Sequence, residues 1–526
     1  MSRRLKLSAE HGFTMAAVML VLLAVTILAG ATFATVSTDI PFARESQDRK
    51  QAYAAAEAGI EYYLYQLTRD NDYWTNCDDV ADPGDGEPSP VNQPDPGDTR
   101  TWRNVVGTEA RFSIELLPAN TEDACDPENA EGTMLDQGSG SFRIRSTGVS
   151  RGVRRSVVTM LRRTSFLDYL YFTDYEASDP NSFASTTDQN YARNNCVKYR
   201  LQRNQNDWCA DNTNITFPNW DAIKGPLHTN DDLLTCGSPK FGRAGEEDVI
   251  EIHGPASDGW TGSSGSGCGG SPVFNGPVRQ PAEHLPVPTS NTRLREAADA
   301  DYVFAGKTEI QFDGTDFMNV WRFPNGNRQA TPTRMALPEN GVIYVDNNGA
   351  CSVQAPRQID YNRPGEQNCA ILIVRGTYPK SMTLGSEVDI LVNGDLRADQ
   401  EDGPVLGLIA QRFVRIMHDV NDSCGSNNNA LTNVTVEAAI LALRDSFIVD
   451  NYSCGAPLGT LRVYGAIAQK FRGPVGTFSG SSRSTGYAKD YEYNDALRYR
   501  SPPYFLDPLQ AAWRVVRANE QVPAAQ

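Results

Sequence analysis

Residues 1–70 constrain the fold of this chain more than any other part of it. A short basic leader ends at Gly12, and residues 13–36 then run for 24 residues without a charge. A run of this length can cross a hydrocarbon core of about 30 Å as a helix. Because the basic residues precede the run and Asp39 is the first charge after it, the pattern predicts a transmembrane helix. Its amino terminus would be cytoplasmic and the bulk of the chain outside.

The polar stretch after this run also has a helical pattern. Residues 44–68 contain QAYAAAEAGIEYYLYQL, in which apolar residues recur near helical spacing at Ala54, Ile60, Tyr63, Leu64 and Leu67. Such spacing gives a helix one apolar face that can lie on a sheet. The sequence therefore predicts one long helix over roughly residues 13–69.

Residues 8–70 resemble the amino-terminal region of PilX-type minor pilins of type IV pili. The motif AAEAG at Ala55–Gly59 is the most specific part of the likeness. The resemblance implies that Gly12 ends a prepilin leader, which a prepilin peptidase removes. It also implies that the processed chain begins at Phe13 and that this residue is N-methylated.

The chain departs from the major pilins at one position. Those pilins carry a glutamate at the fifth position after the cleavage site, and Ala17 occupies that position here. The departure favours a minor pilin over the main repeating subunit. The resemblance implies that the helix packs against other pilins, and the residues expected to make that packing are Met15, Ala17, Leu20, Val21, Ala24 and Leu28.

The fold class expected from the sequence is α+β and mostly β. Alternating apolar residues at 110–118, 141–149 and 154–163 predict a small antiparallel sheet on the long helix. From about residue 225, short strands rich in Val and Ile recur every ~15–25 residues, which is typical of stacked rungs. The sequence favours a parallel β-helix-like region there, and a β-sandwich is the alternative.

These patterns predict six segments. They are a leader at 1–12, a transmembrane helix at 13–36, a pilin-like helix extension with its sheet at 37–163, a polar connection at 164–224, a disulfide-bearing β-rich domain at 225–485 and a capping segment at 486–526.

The ten cysteines all follow the apolar run. An even number confined to the part expected outside the cytoplasm predicts disulfides, and no C-x-x-C spacing favours a metal site. Pairing of sequence neighbours is the simplest scheme, although other connectivities stay open. The pairs in that scheme are Cys77–Cys125, Cys196–Cys209, Cys236–Cys268, Cys351–Cys369 and Cys424–Cys454.

Composition argues against several functions. The net charge is −17, which disfavours nucleic-acid binding. The one basic cluster, Arg151, Arg154, Arg155, Arg162 and Arg163, is interpreted as a solvated strand face, with a local anion site as the alternative.

Catalytic patterns are weak as well. The five histidines are scattered, and no nucleophile or phosphate-binding motif occurs. A lyase or glycosidase on a β-helix would need clustered carboxylates, for which the candidates are Asp231, Asp232, Asp389 and Asp395. Acidic turn residues are common, so the sequence predicts no enzyme, no cofactor and no metal.

The sequence therefore predicts a minor pilin-like subunit of a type IV pilus or related filament. Its β-rich head would serve assembly priming or adhesion, and it would lie in the cell membrane and then on the cell surface. The expected partners are other pilins, the assembly machinery, a prepilin peptidase, the membrane and a surface glycan or protein. The alternative is a single-pass anchored binding protein or polysaccharide-acting enzyme outside any filament.

Overall fold

A computed structural model describes most of the chain. The described residues are 13–70, 72–77, 102–119, 125–127, 130–136, 141–200, 208–254, 260–262, 271–361, 365–400, 403–428, 431–479, 482–508 and 513–525. Side chains are described in these ranges except at 13–14, 31–43, 131 and 260–262.

The chain divides into two compact units. The first, named here the helix–sheet unit, comprises Met1–Met134, Phe142–Leu161 and Val515–Gln526. The second, named the solenoid unit, comprises Leu135–Ser141 and Arg162–Arg514.

The described helices are few. The α-helices are α1 Phe13–Arg69, α2 Ala130–Met134, α3 Thr186–Asn195, α4 Trp208–Thr213 and α5 Thr292–Ala297. Short 3-10 helices are Tyr73–Asn76, Phe166–Asp168, Pro180–Ser182, Ala300–Tyr302, Pro324–Gly326, Pro356–Gln358 and Asp495–Arg498.

Strands are the commonest regular element among the described residues. They are β1 Arg103–Asn104, β2 Arg111–Leu117, β3 Ser141–Ser150, β4 Val153–Arg163, β5 Tyr171–Ser178, β6 Ala222–Lys224, β7 Leu227–Thr229, β8 Leu233–Thr235, β9 Lys240–Phe241, β10 Ile250–Ile252, β11 Trp260–Gly262, β12 Val273–Phe274, β13 Val278–Arg279, β14 Val303–Ala305 and β15 Thr308–Asp313. The remaining strands are β16 Phe317–Arg322, β17 Thr333–Ala336, β18 Val342–Asp346, β19 Ile371–Tyr378, β20 Met382–Ser386, β21 Asp389–Ala398, β22 Leu406–Ala410, β23 Val414–Ile416, β24 Thr435–Ala442, β25 Phe447–Val449, β26 Pro457–Arg472, β27 Gly476–Ser479, β28 Ser482–Tyr493 and β29 Trp513–Gln521.

The predicted transmembrane helix at 13–36 is wrong. Within the described residues, no helix combines the length and the apolar character that crossing a membrane requires. The structure is mostly β with few helices, and the fold class is corrected accordingly.

In the helix–sheet unit, the second half of α1 lies on a five-stranded sheet with the order β1-β2-β3-β4-β29. The helix buries Ala52, Ala56, Ile60, Tyr63 and Leu67, whereas Ala54 faces solvent. The Tyr63 ring meets the Phe142 ring of β3 edge-on, with 6.1 Å between centroids. Because these side chains share one face, the helix stays fixed on the sheet.

Small residues allow this close packing. A Cβ on Gly148 of β3 would lie 1.9 Å from the carbonyl oxygen of Ala52, and one on Gly59 would lie 2.3 Å from Ser146 Oγ. Neither position therefore accepts a larger side chain without a shift of the helix. The AAEAG motif thus has a packing role, with Ala55 and Ala56 buried and Glu57 exposed.

The solenoid unit consists mainly of parallel rungs. On its longest face, aligned apolar residues of successive rungs stack on one another. The register of this ladder is Ile343, Leu384, Leu408, Ile440, Ile467, Tyr171, Leu227, Ile250 and Val278. Because equivalent positions of successive rungs align, these side chains, apart from the exposed Val278 at the end of the ladder, belong to one continuous core.

Two shorter parallel faces complete the rungs. One contains β15, β19, β21, β23 and β25. The other runs from β26 through β28, β6 and β9 to β12. Antiparallel pairing occurs where β15, β16 and β17 form a hairpin-linked sheet.

The order of rungs differs from the order of the sequence. The strand β5 lies between β7 and β26, so the chain enters the solenoid in its middle. It proceeds outward through β7, β10 and β13. Residues 281–299, named here the return segment, then lead to β14, from which the chain winds back to β26.

The return segment lies along the outer side of the rungs. Asn230 Nδ2 donates to the carbonyl of Leu285 at 2.8 Å, and Gln411 Nε2 donates to that of Thr289 at 2.7 Å. Tyr344 Oη donates to Asn291 Oδ1 at 2.8 Å. These contacts join rungs from both halves of the solenoid to one segment.

Candidate functional site

The first half of α1 carries an exposed apolar surface, named here the apolar helix surface, over residues 15–28. Every described side chain from 15 to 30 is exposed, including Met15 at 72% and Leu20 at 67%. The six positions predicted to pack against other subunits all lie on it: Met15, Ala17, Leu20, Val21, Ala24 and Leu28. Their role in packing stays a prediction.

The predicted processing residues fall at the start of this helix. Gly12 lies outside the described residues. Phe13 is the first residue of α1, and its side chain is outside the described set. Cleavage and N-methylation therefore stay predictions.

The structure confirms the presence of disulfides. It joins Cys77 to Cys125, Cys196 to Cys209, Cys351 to Cys369 and Cys424 to Cys454. Cys236 is also disulfide-bonded, and its predicted partner Cys268 lies outside the described residues. Each of these four bonds links cysteines that are neighbours in the sequence: the first closes a loop of 48 residues in the helix–sheet unit, and the other three close loops of 13, 18 and 30 residues in the solenoid unit.

Two of the four candidate carboxylates are buried near the entry of the chain into the solenoid. Asp231 accepts hydrogen bonds from the backbone N–H groups of Arg200 at 2.5 Å and Glu176 at 3.0 Å. Asp232 is 2% exposed. These contacts fix loops and leave Asp231 without a solvent-facing oxygen for acid–base chemistry.

The other two carboxylates also hold local structure. Asp389 is buried and lies 3.3 Å from the guanidinium of Arg415. Asp395 accepts from the backbone N–H of Thr435 at 2.9 Å. Their contacts give both groups a structural role.

Arginines of the basic cluster, which lies on β4 and in the turn just before it, are engaged with other groups. Arg151 donates to Glu109 at 3.0 Å, and Arg155 is paired with Glu520. Arg162 Nη1 donates to the carbonyl of Arg498 at 2.5 Å. Three of the five arginines are therefore engaged within the protein, which favours the interpretation as a structural surface of the strand.

A histidine-containing network was missed by the sequence reasoning. His228 Nδ1 lies 3.0 Å from Glu251 Oε2, to which Tyr169 Oη donates at 2.6 Å. Burial favours the neutral form of Glu251, but the hydrogen bonds from His228 and Tyr169 lower its pKa to about 2. Its charged form is therefore stabilised inside the unit.

The network continues toward solvent. Tyr199 Oη donates to Asp174 Oδ1 at 3.0 Å and lies 2.8 Å from His284 Nε2. The rings of His284 and His253 are in edge contact, with centroids 5.3 Å apart. Burial lowers the pKa of His284, so its half-exposed imidazole is a neutral group that can accept a proton.

The rung spacing could have revealed this network. His228 and Glu251 are register partners on adjacent strands β7 and β10, 23 residues apart in the chain. Aligning the rungs at that interval brings the two side chains together. Among the described residues, no group of three or more His, Cys, Asp and Glu could hold a metal ion.

Comparison with known proteins shows a distant structural similarity and no match in sequence. No family model matches the chain, and no curated protein matches it either. The chain is distantly similar in structure to the competence-associated pilin ComZ from Thermus thermophilus. The identity is 12%, the TM-score is 0.28, and the alignment covers 91% of this chain and 98% of the other. At this TM-score the likeness defines neither the fold nor the function of the chain.

Proposed function

We propose that this protein is a minor pilin-like subunit, of the PilX kind, of a type IV pilus or a related filament. In this proposal α1 packs among the helices of neighbouring subunits, and the solenoid unit is displayed for assembly priming or adhesion. The leader is removed after Gly12 by a prepilin peptidase, and Phe13 is N-methylated. The protein acts outside the cytoplasm, at the cell surface.

The division of α1 into two halves carries this proposal. One continuous helix of 57 residues buries its second half on an antiparallel sheet and exposes ten large apolar side chains in its first half. Soluble monomers rarely expose a contiguous apolar patch larger than a few hundred Å². The apolar helix surface therefore favours burial against other molecules.

The chemistry of this surface favours other pilin helices as its partners. The surface is uncharged between residues 13 and 36, so it offers no ion pair to a polar partner. Ala17 and Ala24 interrupt the larger side chains, and small residues let a second helix approach closely. Ala17 also leaves the surface without the glutamate of the major pilins, which supports a rare subunit over the main repeat.

A charge placed on the apolar helix surface tests this proposal. Leu20→Glu should remove the protein from filaments sheared off the cell while leaving its total amount in the cell unchanged. The matched control is Ala54→Glu, which places the same charge on an exposed position of the same helix. Immunoblots of the sheared and the cell fractions measure both effects.

Mass spectrometry of the filament fraction gives the second readout. The expected amino-terminal peptide begins at N-methylated Phe13. A chain that is absent from sheared filaments, or that keeps Met1, contradicts the proposal.

A further inference from the structure

The solenoid unit contains a polar cleft of about 390 Å³, away from the histidine network. Named here the cationic cleft, it lies where four turns meet at one edge of the rungs. Its lining residues include Lys307, Arg322, Phe323, Asn348 and Gln367. The volume falls in the range of roughly 300–1,000 Å³ that is common for small-ligand sites.

Two half-buried cations enter this cleft without a carboxylate partner among the described residues. The ammonium of Lys307 lies over the Phe323 ring, 5.3 Å from its centroid. Arg322 donates to the Thr308 hydroxyl at 3.0 Å and lies over the Phe304 ring at 4.8 Å. Burial lowers the pKa of both groups, because desolvation disfavours the charged form.

The nearest carboxylates are already engaged with other groups. Glu309 lies 2.5 Å from Arg328 and 3.2 Å from Arg375. Glu366 accepts from the backbone N–H of Gln354 at 2.9 Å. Glu366 and Glu309 attract Lys307 electrostatically, but within the described residues neither forms an ion pair with it. In a chain with a net charge of −17, two cations without an ion-pair partner in a concave site favour an anionic ligand.

Side-chain amides surround the two cations. Asn325, Asn348 and Asn368 line the cleft, and within the described part of the chain their side chains make no hydrogen bond to the protein. Gln329 and Gln367 line it as well. An amide presents both a donor and an acceptor, which matches the hydroxyl groups of a sugar.

The walls of the cleft are held in place before any ligand binds. Asn348 N donates to the carbonyl of Asn368 at 2.7 Å, and the Cys351–Cys369 disulfide joins the same two turns. Lys307 N donates to the carbonyl of Gln367 at 2.9 Å. Such preorganisation reduces the ordering cost of binding.

We infer that the cationic cleft binds an acidic saccharide. In this complex Lys307 and Arg322 bind a sugar carboxylate, the side-chain amides hydrogen-bond to sugar hydroxyls, and the Phe323 ring packs against the face of a sugar ring. This inference rests on the proposed function for its biological meaning, because it names the ligand class of the displayed head. The binding itself is a property of the isolated chain. A free phosphate shares the anionic chemistry, and the experiment separates it from the saccharide.

Calorimetric titration of the purified full chain tests the inference with three probes: trigalacturonate, neutral maltotriose and inorganic phosphate. Trigalacturonate should bind, and Lys307→Gln and Arg322→Gln should each weaken it about tenfold, since each removes a charged hydrogen-bond partner. Lys307→Arg keeps the charge and should retain most of the affinity. The matched control, Lys240→Gln, removes an exposed cation elsewhere in the same unit and should leave affinity unchanged.

Thermal unfolding of each variant shows whether it folds as the parent chain does. Binding of phosphate as tight as that of trigalacturonate would overturn the saccharide assignment. Absence of trigalacturonate binding, or binding that neither cleft variant weakens, would overturn the site. Because the titration uses the isolated chain, either failure is distinguishable from a failure of filament incorporation.

Discussion

The solenoid unit contains buried cations that form ion pairs and buried cations that do not. Arg415, which is almost fully buried, lies 3.3 Å from Asp389 and 3.4 Å from Asp450. Lys307 and Arg322, half-buried in the cationic cleft, have no acid paired with them among the described residues. A buried ion pair fixes the register of adjacent rungs. A buried cation without an ion pair loses hydration free energy, and no contact between rungs offsets that loss. The difference indicates that the first group serves the fold and the second a ligand.

The largest expected effect comes from breaking the paired group. Arg415→Met should lower the free energy of unfolding by about 3–5 kcal/mol, because it leaves two buried carboxylates uncompensated. Urea unfolding followed by circular dichroism measures the loss. The control is Arg322→Met in the cleft, which should change the free energy by less than about 1 kcal/mol. Equal losses in both variants would remove the distinction between the two groups.

A second test acts on the wall of the cationic cleft. Replacing Cys351 and Cys369 by alanine should lower the free energy of unfolding by about 3 kcal/mol, as expected for opening a loop of 18 residues. It should also weaken trigalacturonate binding in the calorimeter. Removing Cys196–Cys209, a loop of 13 residues, should destabilise the chain by a similar amount while leaving that binding unchanged.

The third test compares two carboxylates by pH. Burial raises the pKa of Asp450 to about 6, although Arg415 acts to lower it, so the folded chain binds this proton more tightly than the unfolded chain does. Its contribution to stability is therefore full below about pH 4 and is lost as the pH rises to about 6. Asp450→Asn should abolish this dependence in urea titrations at a series of pH values.

The contribution of Glu251 to the pH dependence of stability should have the opposite sign to that of Asp450. Its pKa is lowered to about 2, so its contribution is present above about pH 4.5 and is lost as the pH falls toward 2. Glu251→Gln should remove that acid-side loss and leave the dependence between pH 4 and 6 intact. If both variants changed the pH dependence of the free energy of unfolding in the same direction, Asp450 and Glu251 would not lie in different environments.

The smallest expected effect concerns Lys307 alone. Lys307→Gln should change the free energy of unfolding by less than about 0.5 kcal/mol, because the lost attraction of Glu366 and Glu309 is offset by relief of the desolvation cost of the buried ammonium. Differential scanning calorimetry of the variant beside the parent chain measures this. A loss above 2 kcal/mol would mean that Lys307 supports the fold, as Arg415 does.

Local features of the fold could be predicted from the sequence. Alternation of apolar residues indicated the strand that becomes Arg111–Leu117, and the Val- and Ile-rich run at 370–376 falls in Ile371–Tyr378. Disulfides between neighbouring cysteines followed from their number and placement. Each of these depends on residues close together in the chain, where spacing limits the geometry. The transmembrane prediction was wrong although it rested on an equally local pattern.

Long-range placement could not be predicted in the same way. Nothing in the sequence near residue 171 indicates that β5 pairs with β26, since the register depends on how all intervening rungs stack. The cationic cleft is assembled from turns near residues 307, 323, 348 and 367, which are individually ordinary polar loops. The histidines are scattered along the sequence, and only the alignment of adjacent rungs brings His228 beside Glu251. Both candidate sites therefore depend on how the rungs stack, and local sequence patterns do not predict that stacking.

The entry of the chain into the middle of the solenoid has a consequence for the timing of folding. Tyr171 of β5 pairs with Ile467 of β26, so this junction joins segments nearly 300 residues apart. Loop closure over such a distance slows folding, and most of the chain must have emerged from the ribosome before the junction can form. Until then β5 has an open edge, which is a site for mispairing. A chain exported while unfinished would need protection of that edge until its last rungs arrive.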